Sequence, residues 1–191
     1  MLYKIIAIMI MIVFYTFYVY KLISLNNKSI KTNQAGKGNK AKQVLIIERI
    51  MSVANVLQIF VMIVSVILID NIKNPNLCVL GIILGILAIL FFALATITMK
   101  NNWRVGIPEE KTSLVNTGIY NWSRNPAFVG FDLLYISITI LFFNIPLLII
   151  SIWSIIMLHL QIIQEEKHMI KIFGKDYREY KKHTLRYFGK K

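Results

Sequence analysis

Two stretches of the 191-residue chain concentrate the side chains that could do chemistry, 103–132 and 159–187. In the first, Arg124 offers a planar fork of N–H donors that suits a carboxylate. In the second, Glu165 and Glu166 offer acceptors for an ammonium group or for hydroxyls. The rings of Tyr120 and Phe128 suit a soft cation. Asp132 lies inside an apolar run, where an acid is a functional candidate by default. It is read as facing an acceptor or as a buried partner of Arg124 or Trp103. The three histidines and the one cysteine, Cys78, show no metal-ligand spacing, so no metal is expected. His159 reads as a packing residue, and His168 and His183 as exposed. A single cysteine allows no internal disulfide, and no Gly-rich loop follows a strand, which leaves no soluble nucleotide-binding signature.

The elements that must position these residues are membrane spans. Apolar residues make up 57% of the chain and charged residues only 16%, against about 45–50% and about 25% in a soluble domain. That excludes a soluble globular enzyme. The expected fold is an all-α polytopic integral membrane helix bundle of about five transmembrane helices, with a cytosolic C-terminal amphipathic helix. Residues 2–24 read as a retained anchor rather than a signal peptide, because the run is long and no small-x-small site follows. Spans 51–69 and 77–99 come next, with 44–50 as an interfacial lead-in to the second. Spans 127–143 and 147–163 form a helical hairpin around Asn144-Ile145-Pro146. The tail from Gln164 places Met169, Ile170, Phe173, Tyr177 and Tyr180 at helical spacing. Residues 1–99 thus form an N-terminal set of helices. Residues 100–191 form a catalytic region of loop 100–126, hairpin 127–163 and tail 164–191. Gly81 and Gly85 in the third span suit close helix packing.

Charge sets the orientation. The net charge is +13, and no basic stretch has the aromatic interleaving of a nucleic-acid platform. Loop 25–43 carries five Lys and no acid, loop 100–126 carries Lys100, Arg104, Lys111 and Arg124, and the tail carries nine Lys and Arg. The turn at 70–76 has only Lys73, and the turn at 144–146 has none. The positive-inside rule then puts the N-terminus outside and the C-terminus in the cytosol. Residues 28–42 read as a solvated loop facing anionic lipid.

The ordered motifs resemble the isoprenylcysteine carboxyl methyltransferase family and the related phospholipid methyltransferases. They are Gly118-Ile119-Tyr120, Arg124-Asn125-Pro126-Ala127-Phe128-Val129-Gly130, the Glu165-Glu166 pair, and Phe173-Gly174 with Tyr177 and Tyr180. The resemblance covers residues 100–187, about half the chain. It implies methyl transfer from S-adenosylmethionine inside the membrane. It also implies cofactor contacts at Thr112, Ser113, Leu114, Val115, Tyr120, Arg124, Asn125, Pro126, Ala127, Phe128, Glu165 and Glu166. Arg124 would hold the methionine carboxylate. Arg124, Asp132 and Gln161 are the catalytic candidates, the last two on the acceptor side. Three positions depart from the pattern. Asn125 stands where the family has His and cannot act as a base. Phe128 stands for Tyr and lacks the hydroxyl. Gln161 is neutral where the prenylcysteine enzymes use an Arg for the substrate carboxylate. The cofactor half of the resemblance is therefore stronger than the substrate half.

The expected partner is a membrane lipid, another apolar small molecule or a lipidated acceptor, and no nucleic acid. Two other readings remain at this stage: an NADPH-dependent membrane reductase of the sterol reductase type, and a non-catalytic adaptor on the same scaffold.

Overall fold

The computed structural model describes residues 1–70, 73–110 and 112–190. Lys111, counted above among the loop cations, lies outside the described residues. Five α-helices follow in chain order: α1 (Leu2–Asn26), α2 (Lys42–Leu68), α3 (Pro75–Met99), α4 (Pro126–Leu141) and α5 (Ile145–His183). Helices α1, α2, α3 and α5 are long and apolar enough to cross a membrane. The 16 residues of α4 reach about 24 Å at 1.5 Å per residue, short of a hydrocarbon core of about 30 Å. The protein is an integral membrane helical bundle. Both long loops and the tail gather at one end of it, and the turns near 70 and 143 at the other.

Helix ends follow local chemistry. Asn74 caps α3 by accepting from the N–H groups of Asn76 and Leu77, and Pro75 takes the first helical position. Asn144 caps α5 through Leu147 N–H at 3.0 Å. Helix α2 starts at Lys42, so the expected lead-in at 44–50 is fully helical.

Small residues bring α3 and α4 into contact. A Cβ on Gly81 would meet Leu141 at 2.7 Å, and one on Gly85 would meet Ile10 of α1 at 2.7 Å and Ser137 Oγ at 2.9 Å. The Ser137 hydroxyl donates to Gly81 O at 2.6 Å. On the other side, Gln58 of α2 donates to Ser151 of α5 at 3.0 Å, and Ser151 meets Thr139 of α4 at 2.9 Å. A ladder of aromatic edges, Phe14, Tyr18, Phe92, Trp103 and Phe131, fills the middle of the bundle toward the loop end.

Two sequence expectations change here. The fifth span and the amphipathic tail are one element: α5 runs from Ile145 to a kink at Gly174 (φ 52°) and on to His183. The polar residues from Gln164 continue the helical period, so nothing ends the helix at the membrane edge. Nor is loop 25–43 simply a solvated, lipid-facing loop. Thr32 and Gln34 are buried, and the loop pairs with 104–110 through Gln34 N–H to Val105 O and Val105 N–H to Thr32 O, each at 2.9 Å.

Candidate functional site

A cavity opens at the loop end, with about 870 Å³ of void including its mouth. Its walls come from three places. The loop supplies Trp103, Arg104, Gly106–Pro108, Thr112, Ser113, Val115 and Tyr120. The start of α4 supplies Ala127 and Phe128, with Asn125 just before it. Helix α5 supplies Glu165, Glu166, His168, Met169, Tyr177 and Tyr180. A second cavity, with about 470 Å³ of void including its mouth, runs into the bundle between Tyr18, Met51, Asn55, Phe92, Phe131 and Leu158. The two share Trp103, Arg104, Gly106, Ala127, Phe128 and Glu165. They meet at that wall.

Most of the expected residues are thus brought together. Thr112, Ser113, Val115, Tyr120, Arg124, Asn125, Ala127, Phe128, Glu165 and Glu166 all line the first cavity. Leu114 and Pro126 do not; Pro126 is the first residue of α4. Gln161 is fully buried beside the junction and donates to Glu165 Oε1 at 3.0 Å, while its own carbonyl oxygen has no partner. Asp132 does not pair with Arg124 or Trp103. Its Oδ1 is buried without a hydrogen-bond partner among the described residues, because Arg124 is drawn to Glu166 instead.

Arg124 lines the cavity and is bonded within the protein. Its Nε and NH2 donate to Glu166 Oε1 at 3.2 and 2.7 Å, and NH1 donates to Thr184 O at 2.6 Å. Arg186 donates to the other Glu166 oxygen at 3.0 Å. That bond holds the Arg186 guanidinium above even its ordinary high range. Asn125 donates to Arg186 O at 3.1 Å. The result closes the segment 184–190 onto the loop, helped by Gly189 N–H to Trp122 O at 2.7 Å and by stacking of Phe188 on Trp122. Arg124 therefore stands at the wall with its donors turned to protein acceptors. Glu165 has no such counter-ion among the described residues and faces both cavities.

Tyr120 is buried at the floor, and its carbonyl accepts from the Tyr180 hydroxyl. Burial pushes its phenol well above the usual range, so at neutral pH it presents an uncharged ring and hydroxyl. His168 lines the cavity and is half-buried, contrary to the exposed position expected, because α5 continues past the membrane edge and keeps that face inward. His159 does pack: its Nδ1 meets the Tyr187 hydroxyl at 2.5 Å over stacked rings. His183 is exposed as expected.

Sequence reasoning missed Glu48. It is 0% exposed and organises the loop end. Its carboxylate accepts from Gly36 N–H and Ile107 N–H, each at 2.7 Å, and from Lys40 Nζ at 2.8 Å. A lone acid interrupting an apolar run was the available signal. Its partners lie far from it in sequence.

Fold and cavities together define a membrane-embedded helical protein with a cavity at its loop end. The phospholipid methyltransferase family model matches residues 76–176, more than half of the chain, and the chain belongs to that family. It is also similar to three proteins named protein-S-isoprenylcysteine O-methyltransferase. The relative from Saccharomyces cerevisiae is 33% identical over 113 residues, 56% of this chain and 46% of that protein. The one from Dictyostelium discoideum is 29% identical over 119 residues, 59% and 49%. The one from Xenopus laevis is 32% identical over 113 residues, 56% and 38%. The match thus spans less than half the length of each relative.

Proposed function

We propose that the protein is an S-adenosylmethionine-dependent methyltransferase acting on an apolar or amphiphilic acceptor taken from the bilayer. One observation carries this reading: a cavity that opens at the loop end and a second cavity that runs into the apolar bundle share one wall. A water-soluble donor and a lipid-soluble acceptor would need such a meeting point.

The residues present suit the cofactor. Tyr120, Phe128 and Tyr177 give aromatic faces for a sulfonium. Glu165 supplies an acceptor for the ammonium or ribose hydroxyls. Thr112, Ser113 and Val115 lie along the wall. Bound S-adenosylmethionine supplies an electrophilic methyl group. The chain's own part is alignment and exclusion of water. Phe128 and Ala127 separate the cavities and set the distance between donor and acceptor. Glu165, steadied by Gln161, can hold a cation or receive a proton at its carboxylate. Arg124, Glu166 and Arg186 hold the tail closed over the cavity rather than binding ligand directly. The relatives' names point to a prenylated cysteine as their acceptor. Here the acceptor is given as a class, lipid or lipidated, and the loop end is placed in the cytosol on its lysines and arginines.

The test is thermal stability of the detergent-purified chain with S-adenosylmethionine, S-adenosylhomocysteine or NADPH. A ligand bound only to the native state stabilises it by RT ln(1 + [L]/Kd). The adenosyl compounds should stabilise it. Glu165→Gln should reduce that effect at least tenfold in apparent affinity while keeping the ligand-free melting temperature. Stabilisation by NADPH alone would overturn the reading.

A further inference from the structure

Beside the cofactor cavity lies a separate groove of about 1020 Å³, mouth included, between the start of α2 and the outer face of α5. Gln164, Lys167, His168 and Lys171 lie on one helical face of α5, at spacing i, i+3, i+4 and i+7. The opposite wall is Lys40 and Ala41. Lys167 and Lys171 are exposed, and neither has an acidic partner among the described residues. Lys40 is already neutralised by Glu48. Ala41 precedes the first residue of the 27-residue helix α2, whose N-terminus has no side-chain cap. Val44 and Leu45 N–H already donate to Ala41 O; the N–H groups of Lys42 and Gln43 and the positive end of the dipole remain open to an anion.

A second observation points to a ligand. Gln164 lines this groove and is only 7% exposed. Its side-chain amide makes no hydrogen bond to any described residue. A ligand oxygen in the groove would supply the hydrogen bond that this amide lacks. The acid in the groove, Glu109, has Oε1 accepting from Asn39 N–H at 2.6 Å; against Lys167 and Lys171 it still leaves the groove with an excess of one positive charge.

We infer that this groove binds the phosphate of an anionic phospholipid. Lys167 and Lys171 would supply charge, and Gln164 and the start of α2 neutral donors. The groove sits where α2 enters and α5 leaves the apolar stretch, which is headgroup depth. Ile107, Pro108 and His168 line both this groove and the cofactor cavity. A bound headgroup would therefore brace the loop that forms the cofactor wall. The inference does not depend on the methyltransferase reading.

The test uses the full chain in detergent, titrated separately with phosphatidylglycerol, phosphatidylcholine of the same acyl chains, and inorganic phosphate, and followed by thermal unfolding. Phosphatidylglycerol should stabilise with a midpoint at least tenfold lower than phosphatidylcholine. Lys167→Gln with Lys171→Gln should abolish that preference, and Gln164→Leu should weaken it. Lys28→Gln with Lys31→Gln, elsewhere on the same face, should keep it. Response to S-adenosylhomocysteine in each variant reads the neighbouring cavity independently. Equal effects of the two lipids would overturn the proposal. So would equal loss in both lysine pairs, which would mean diffuse charge. Full stabilisation by inorganic phosphate alone would make it a free-anion site and overturn the lipid assignment.

Discussion

At the scale of single residues, Glu166 carries the closure of the site. It is 4% exposed and takes both Arg124 and Arg186. Removing one partner of a buried ion pair leaves an uncompensated charge and costs about 3–5 kcal/mol. Glu166→Ala should therefore destabilise the protein by about 3 kcal/mol on thermal unfolding and expose the tail to protease. Arg124→Met combined with Glu166→Leu should recover part of that loss, since the buried Arg124 charge is removed and the freed Arg186, a third exposed, can turn to water. If the single and double variants unfold alike, the pair is not the clasp. Glu165, its neighbour in sequence, should behave oppositely: its loss should change ligand affinity and leave stability in place. Both carboxylates were recognisable as candidates in the sequence. Their division of labour was not, because Arg124 and Glu166 are 42 positions apart and nothing local pairs them.

At the scale of elements, two glycines set geometry that side chains would spoil. A valine at Gly85 would put carbon against Ile10 and Ser137. Overpacking of this kind costs about 1–3 kcal/mol and should lower the melting temperature in detergent. Gly174 has open space around it but a φ of 52°, a backbone region that side chains disfavour. Gly174→Ala should therefore act through the kink alone. It should swing Tyr177 and Tyr180 from the cavity wall and weaken S-adenosylhomocysteine binding, with α1–α4 unaffected; unchanged binding would show that the kink does not set the site. The apolar spans were legible because hydropathy alone demands them. The length of α5 was obscured by composition: Gln164, Glu165 and Glu166 look like an exit from the membrane, but an exit need not end a helix. Glu48 and the docking of loop 27–41 were hidden because their bonds reach across to Ile107 and Val105.

At the scale of the whole molecule, the gathering of both loops and the tail at one end makes sidedness testable. The single cysteine, Cys78, is buried in α3, so background labelling should be low. A cysteine placed at Lys73 should react with a membrane-impermeant maleimide added outside intact cells. One at Glu179 should react only after permeabilisation. The reverse pattern would invert the proposed orientation. The continuity of α5 has a further consequence. Ser151 is pinned to Gln58 and Thr139 deep in the bundle, and fourteen positions later the same rod presents Glu165 to the shared wall. Each residue of an α-helix turns its successors by about 100°. Adding one residue between these points would rotate Glu165 away from the junction. Adding four would advance it by a little more than a turn and nearly restore its heading. The site is thus phased to the membrane interior, and the number of residues between the two points matters as much as their identity.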